Sequence, residues 1–147
     1  MLTYVKIEGI PKGPEMKNIL NTYEQIFKSD SGGFVEEMKE KRGLVTFAAM
    51  EDQKMVGFKM GYDRKKDHFY SWIGGVIQEH RGKGVASEMM HLQHEWCRNH
   101  GYSAIRTQTK NKWKDMLILN LRHDYHVIGT YITENNETKI MLEKRFS

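Results

Sequence analysis

The sequence predicts a mixed α/β fold of the α+β kind, with a mostly antiparallel sheet of six to seven strands flanked by about four helices. Three observations predict it. Short alternating segments separated by turn residues follow one another in the middle of the chain, as in a β-meander. Two long segments repeat apolar residues at helical spacing. The segment Arg81-Gly82-Lys83-Gly84 joins a strand pattern directly to a helical one.

The length of 147 residues predicts one domain over residues 1–147, since a chain of this size buries roughly 70% of its unfolded surface in one core. No run of residues approaches the ~20 apolar positions of a membrane span, and no secretory signal precedes the first strand pattern. Cys97 is the single cysteine, so no intrachain disulfide can form. A cytoplasmic protein is therefore expected.

The first half of the chain is predicted to hold one strand, two helices and a three-strand meander. Pro14 opens the first helix, and the Asp30-Ser31-Gly32-Gly33 cluster ends it. Short polar turns between the last three strands favour hairpins. The predicted elements are a strand over 3–7, helices over 14–28 and 34–40, and strands over 44–50, 54–62 and 68–77.

The second half of the chain begins with a helix from Val85 that ends near Gly101 and turns Val85, Met89, Leu92 and Trp96 to one face. The strand that follows is predicted to be parallel to the strand before the helix, since the crossover is long enough for a β-α-β unit. The remaining elements are strands over 104–109, 125–132 and 137–142 and a helix over 113–121. The order is β-α-α-β-β-β-α-β-α-β-β.

The glycine turn between the fourth strand and the third helix predicts an anion site. Gly82 and Gly84 let the backbone approach a ligand closely, and the first amides of the helix have no partner within the helix. Arg81 and Lys83 add positive charge. A pyrophosphate fits this arrangement. A nucleotide-hydrolase P-loop does not fit, because its Gly-Lys-Ser/Thr ending is missing. A dinucleotide-binding turn does not fit either, because it follows the first strand of a parallel sheet, whereas this turn follows an antiparallel meander.

This order of elements, with the glycine turn at this place, resembles the GNAT superfamily of N-acetyltransferases over essentially the whole chain. The family's acetyl-CoA motif is Arg or Gln, two residues, Gly, one residue, then Gly or Ala, and Arg81, Gly84 and Ala86 match it. The resemblance implies an N-acetyltransferase with acetyl-CoA as co-substrate. The cofactor-binding residues that it implies are Val76, Ile77, Gln78, Arg81, Gly82, Lys83, Gly84, Val85, Ala86, Ser87 and Asn111.

The same resemblance points to the end of the fourth helix. Asn120 stands where many relatives have the tyrosine thought to protonate the departing CoA thiolate. A thiol with an unperturbed pKa of ~8.5 is already a fair leaving group, so loss of this acid is expected to slow the reaction without abolishing it, and Asn120 is expected to hydrogen-bond the sulfur. Tyr125 brings a hydroxyl to the same corner and is a candidate for a displaced acid. Asp124 replaces the usual helix-ending glycine and is predicted to adopt a left-handed conformation.

Tyr70 and Trp72 are predicted to share one face of the fourth strand, where the resemblance places the acceptor. Some relatives have a glutamate or histidine base at the Tyr70 position. A tyrosine with a pKa of ~10 is a weak base, so we favour an aromatic wall of the acceptor pocket, with proton loss through water. Glu36 and Glu37 offer an alternative attraction for a cationic amine, although a solvated helix face is the preferred interpretation.

Gly74-Gly75 predicts a bulge that separates the fourth strand from the fifth and so admits the pantetheine arm of CoA. The backbone amide of Val76 follows directly. It is the expected donor to the oxyanion that develops during acetyl transfer.

Other functions find less support in the sequence. His91 and His94 do not have a recognised metal-binding spacing, so no metal is expected, and both are predicted to be solvated or half-buried. A net charge of +4 is scattered, so neither nucleic acid nor a membrane is expected as a partner. The predicted acceptor is a primary amine of a small molecule or peptide, and the chain a monomer or homodimer. Asn120 motivates the alternative of a non-catalytic acyl-CoA-binding module.

Overall fold

The computed structural model describes residues 1–146, in which one seven-stranded sheet is flanked by four helices. The strands are β1 (Leu2–Glu8), β2 (Val45–Glu51), β3 (Lys54–Lys65), β4 (His68–Val76), β5 (Ala104–Lys110), β6 (His126–Ile132) and β7 (Thr138–Arg145). The helices are α1 (Pro14–Phe27), α2 (Phe34–Lys39), α3 (Val85–Asn99) and α4 (Lys114–Arg122). The predicted order of elements is confirmed. The sequence did not predict the single 3-10 turn over Gln78–His80 that follows β4.

The sheet has the strand order β1-β2-β3-β4-β5-β7-β6. Every neighbouring pair is antiparallel except β4 and β5, which are parallel. The parallel step follows from the crossover through α3, since two adjacent strands joined by a helix run in the same direction. The point where antiparallel pairing gives way to parallel pairing therefore lies in the middle of the sheet.

The helices cover both faces of the sheet. Ile19 of α1 and Phe34 of α2 pack with Phe58 and Met60 of β3 in one buried cluster. On the opposite face, α3 and α4 pack with β5 and β7 around a cluster that includes the fully buried Cys97. Successive residues of β3 alternate between the two faces, as strand geometry requires.

The buried face of α3 differs from the predicted one. Leu92 and Trp96 are only half-buried, and the side chains that face the sheet are Val85, Met89, Met90, Gln93, His94 and Cys97. The prediction that His94 is solvated or half-buried is therefore wrong, whereas His91 is exposed. The apolar residues alone did not reveal the orientation of the helix, because Gln93 and His94 are polar residues on the buried side.

Local features of the loops agree with most predictions. Asp124 has a φ of 69°, which confirms the predicted left-handed conformation at the end of α4. Glu36 and Glu37 are exposed on α2, in agreement with a solvated face. β3 continues to Lys65 instead of ending at residue 62, because the hairpin to β4 stays paired through a register shift.

Candidate active site

The site begins where β4 and β5 separate. The two strands pair through three residue pairs, from His68 with Ala104 to Tyr70 with Arg106, and no further. Just beyond the last pair, Thr107 Oγ1 donates to the Ser71 carbonyl oxygen at 2.9 Å, so a side chain replaces the backbone ladder there. The predicted separation of the fourth and fifth strands is thus confirmed.

The bulge lies at a different place from the prediction. The β3–β4 register passes from Met60 opposite Ile73 to Gly61 opposite Ser71, which leaves Trp72 as the extra residue. Gly74 and Gly75 remain in regular pairing. They are glycines for another reason, since a Cβ on Gly74 would lie 2.6 Å from the Phe58 carbonyl oxygen and one on Gly75 would lie 2.8 Å from Ile26 Cγ2 of α1. Their role is close packing against β3 and α1.

Backbone groups of β4 face the opening. The Ile77 N–H donates to the Val56 carbonyl oxygen at 2.9 Å, and Val76 is aligned with Gly57. In an antiparallel ladder this makes Val76 and Gly57 a non-hydrogen-bonded pair, so the N–H and C=O of Val76 point away from β3. Gly74, two residues earlier, points the same way. The opening is therefore lined by backbone donors and acceptors at two successive positions of β4.

The glycine turn brings the amino end of α3 to this opening. Gly82 and Gly84 have φ values of 77° and 81°, in the left-handed region, and a Cβ at either position would meet no atom within 4 Å. Glycine is therefore favoured for backbone conformation and not for space. The first intrahelical bond runs from the Glu88 N–H to the Gly84 carbonyl oxygen, so the amides of residues 85–87 are free to bind an anion.

Arg81 joins the two parts of this region. Its Nε donates to the Val76 carbonyl oxygen at 2.9 Å, so the guanidinium fixes the end of β4 against the turn. The sequence predicted this arginine as a source of positive charge, and the structure adds a positioning contact. Lys83 and Gln78 are exposed beside it, whereas the side chains of Ile77 and Val85 are buried in the core.

Ser87 lies on the first turn of α3 and contacts the end of α4. Its Oγ is 2.7 Å from His123 Nε2, which closes the space between the two helices. Burial lowers the pKa of His123, and the Lys144 charge adds to the effect. The sequence did not single out His123, since a lone histidine at a helix end carries no recognisable signal. Asn111 is exposed in the turn after β5, at the sheet edge where both parallel strands end.

The predicted acid positions lie deeper in the molecule. Asn120 is 2% exposed on the last turn of α4. Tyr125 is equally buried, and its hydroxyl is 3.0 Å from His94 Nε2 in the core between α3 and the sheet. Burial raises the pKa of Tyr125 well above its usual range. The contact with a buried histidine and the raised pKa argue against Tyr125 as a displaced acid.

Aromatic side chains surround Tyr70 on the opposite face of the sheet. The Tyr62 ring centroid is 5.6 Å from that of Tyr70 and 6.2 Å from that of Trp72, so both β4 residues face the same side, as predicted. The Arg64 guanidinium carbon lies 4.4 Å from the Tyr70 ring centroid. Burial raises the pKa of Tyr70 to about 12. A hydroxyl held protonated in this way is poorly suited to act as a base.

Other regions of the described chain offer weaker candidates for a functional site. A surface cavity of about 290 Å³ lies between β1 and α3, beside Tyr4, Phe47 and Leu92, and contains no predicted site residue. Within residues 1–146, no three His, Cys, Asp or Glu side chains come close enough together to hold a metal ion. No helix in the same residues is long and apolar enough to cross a membrane.

A central sheet that opens at its one parallel step, beside a basic glycine turn, defines the class of acyltransferases that take the acyl group from CoA. The chain belongs to the acetyltransferase (GNAT) family, whose model matches residues 14–115. The predicted family and enzyme class are thereby confirmed. Acetyl-CoA, the donor of this family, is confirmed as the co-substrate at the level of the family.

Three solved structures illustrate the likeness of fold. The ribosomal-protein-S18-alanine N-acetyltransferase from Escherichia coli has a TM-score of 0.82 and 12% identity, over 100% of this chain and 95% of that one. A chain of the NatC complex bound to Gag peptide and CoA has a TM-score of 0.78 and 13% identity, over 99% of both chains. An aminoglycoside 6'-N-acetyltransferase complexed with coenzyme A has a TM-score of 0.77 and 14% identity, over 96% of both. No curated protein sequence matches the chain.

Proposed function

We propose that this protein is an N-acetyltransferase that moves the acetyl group of acetyl-CoA directly to a primary amine of a small molecule or peptide. The observation that carries the proposal is the opening between β4 and β5, which leads to the free amides at the start of α3. Diphosphate oxygens suit these amides, and the extended amide-containing arm of CoA suits the backbone groups of Gly74 and Val76. The fit supports acetyl-CoA as the donor.

In this proposal the cofactor side is formed by the residues named from the sequence. Val76 holds the pantetheine arm and directs its amide to the developing oxyanion. Arg81, Lys83 and the amides of residues 82–87 hold the diphosphate, and Asn111 lies beside the arm at the end of β5. Asn120 is proposed as a polar neighbour of the sulfur. Tyr70 and Trp72 form an aromatic wall for the acceptor.

A direct transfer is favoured over a covalent acetyl-enzyme. Cys97 is the single thiol of the chain and is fully buried. Burial raises the pKa of Cys97 to about 12, so almost no thiolate exists at neutral pH. The acceptor amine itself is therefore the nucleophile, after losing its proton to water that reaches the aromatic side of the site.

The alternative is an acyl-CoA-binding module without turnover. It is favoured by one observation, that neither Asn120 nor the Tyr125 hydroxyl is available as a proton donor to the thiolate. This alternative predicts tight CoA binding without release of thiol in the presence of any amine.

An acceptor screen separates the two functions. Purified protein with acetyl-CoA is offered a panel of polyamines, aminoglycosides, amino acids and peptide N-termini, and release of the CoA thiol is measured. Turnover with at least one amine is expected, with Tyr70→Phe and Asn120→Ala run beside the wild type. Tight CoA binding without turnover on the whole panel would favour the binding module, and absence of CoA binding would contradict both functions.

Several properties complete the proposal. We propose one domain over residues 1–147, a cytoplasmic location and a monomer or homodimer, with neither nucleic acid nor membrane as a partner. Gel filtration with light scattering measures the oligomeric state. An electrophoretic shift with DNA or RNA at low salt would contradict the absence of a nucleic-acid partner.

A further inference from the structure

Lys59 is a buried lysine that the roles proposed above do not use. The residue is 8% exposed in the middle of β3, and burial lowers the pKa of Lys59 with no carboxylate among residues 1–146 acting against that shift. Phe58 and Met60, on either side, pack into the cluster beneath α1 and α2. Strand alternation therefore directs Lys59 to the opposite face, the face covered by α3 and α4.

The register of the sheet places Lys59 beside the opening between β4 and β5. Lys59 is aligned with Gly74, whose backbone groups face that opening. A Cβ on Gly74 would lie 2.9 Å from Lys59 Cα, so the two strands are in close contact at this level. Val76 adjoins the phosphate-binding turn, and Gly74 is one step farther from it along β4. If CoA binds as proposed above, its thioester carbonyl lies at the Val76 amide, and the Gly74–Lys59 pair lies at the next gap-facing position of β4, roughly 7 Å farther from the phosphate-binding turn.

The surroundings of Lys59 are basic and contain no carboxylate that neutralises it. Lys59 lies close enough to His94 of α3 and His123 at the end of α4 to lower the pKa of both, as does Lys144 of β7. The Asp124 carboxylate, next to His123, acts on His123 and Lys144. A buried cation without a paired anion is costly unless an anion or a polar ligand completes its pocket.

We propose that Lys59 is a catalytic residue that hydrogen-bonds the thioester sulfur and gives its proton to the departing CoA thiolate. The acceptor nitrogen forms its bond to the acetyl carbon, the carbon–sulfur bond breaks, and its electron pair passes to sulfur, which takes the proton from Lys59 Nζ. The acceptor releases its own proton to water, and Lys59 is reprotonated from water. No oxidant or reductant takes part, and the inference depends on the proposed acetyltransferase function.

The acidity of Lys59 suits this step. Burial lowers the pKa of Lys59 to about 8. A free thiol has a pKa of ~8.5, so transfer of the proton from Lys59 to the thiolate is close to balanced in free energy. Lys59 is still mostly protonated at pH 7. Asn120, by comparison, has an amide that can donate a hydrogen bond but cannot give up a proton at this pH.

The test compares CoA with desulfo-CoA, which lacks the sulfur, by calorimetric titration of wild type and Lys59→Met. If Lys59 contacts the sulfur, the substitution weakens binding of CoA about tenfold more than binding of desulfo-CoA. The control Lys144→Met removes a nearby lysine from β7 and should change both affinities equally. Equal losses for the two ligands in Lys59→Met would overturn the assignment, and failure of wild type to bind either ligand would contradict the proposed function itself.

A second measurement on the wild type does not require the variant to fold. The ultraviolet absorbance of the thiolate reports the pKa of the thiol of bound CoA. We expect that pKa to be at least about one unit below that of free CoA, because the Lys59 ammonium favours the thiolate. An unchanged thiol pKa would overturn the inference. Lys59→Arg keeps the charge without a transferable proton, so it should retain the lowered thiol pKa and have a kcat below that of the wild type.

Discussion

The donor side and the acceptor side of the site are built from different materials. The donor side consists of backbone groups, namely the amides that follow Gly84 and the gap-facing groups of Gly74 and Val76. The proposed acceptor side consists of side chains from separate strands, with Tyr62 of β3 against Tyr70 and Trp72 of β4. Backbone geometry tolerates sequence change better, so the donor is recognisable and the acceptor is not.

The electrostatics of the two sides differ as well. At the donor side, partial positive charge comes from a helix terminus and is independent of pH. At the acceptor side, positive groups lie against aromatic rings, with Lys41 Nζ 4.7 Å from the Trp72 ring centroid and Arg64 over Tyr70. Glu36 and Glu37, the alternative attraction for a cationic amine, are exposed on α2, in agreement with the preferred solvated face.

The largest expected effect comes from Gly84→Val on the donor side. A β-branched residue in the left-handed region forces the turn to change its backbone conformation and displaces the amides of residues 85–87. CoA affinity should fall at least about 30-fold, as measured by calorimetry.

Gly101→Val is the matched control for this variant. Gly101 has a φ of 80° and equally empty space at its Cβ, but it lies beyond the opposite end of α3. Both variants should lose about 1–2 kcal/mol of unfolding free energy, and only Gly84→Val should lose CoA affinity. Similar CoA affinity in the two variants would show that the donor side does not depend on this backbone.

The next effect concerns the stability of α3, the helix that carries the donor side. Burial holds the pKa of His94 in the folded state far below the ~6.5 of the unfolded chain. As the pH falls below ~6.5, His94 binds a proton in the unfolded chain but stays neutral in the folded protein. Stability is therefore complete above that pH and falls below it, by about 2 kcal/mol between pH 7 and pH 5.

Urea unfolding of His94→Gln at several pH values measures this contribution. The variant should show a shallower decline in unfolding free energy below pH ~6.5 than the wild type, with the remaining slope including that of His123. His91→Gln, on the exposed side of the same helix, is the control and should keep the wild-type slope. Identical slopes in all three proteins would mean that His94 is protonated in the folded state.

A smaller effect is expected at Tyr70, where the experiment tests whether the acceptor side acts through its aromatic rings. Tyr70→Ala removes part of the aromatic wall and should raise the KM of the best acceptor about tenfold, with CoA affinity unchanged. Tyr70→Phe keeps the wall and should retain kcat within about threefold. Steady-state kinetics measure both. A loss of kcat near 100-fold in Tyr70→Phe would identify the hydroxyl as a proton carrier and contradict the role of a wall.

The smallest effects are expected for two arginines, Arg81 on the donor side and Arg64 on the acceptor side. Arg81→Met removes the 2.9 Å bond to the Val76 carbonyl oxygen and should weaken CoA binding about threefold to fivefold. Arg64→Met removes the cation over Tyr70 and should change only the acceptor KM. Calorimetry with CoA and kinetics with the acceptor separate the two. An effect of Arg64→Met on CoA affinity would show that the two sides are coupled.

Much of the fold was available from the sequence, because local patterns determine it. Alternation, glycine turns and helical spacing gave the order of the seven strands and four helices of the described residues, and the family resemblance added the left-handed conformation of Asp124. The donor side was equally accessible, since Gly82 and Gly84 act through their own backbone. These features depend on neighbours in the chain and need no distant contact.

Only the tertiary structure decided the features that depend on distant segments. The bulge at Trp72, the burial of His94 against Tyr125, and the position of Lys59 beside Gly74 follow from strand register and helix rotation. A one-residue change in strand register or in helix rotation would turn these side chains to another face, and the amino-acid composition does not determine the register or the rotation. The sequence by itself thus determined the family, the donor and the anion-binding turn. The packing of the sheet determined which polar groups are buried and which of them lie beside the opening between β4 and β5, because both depend on contacts between distant segments.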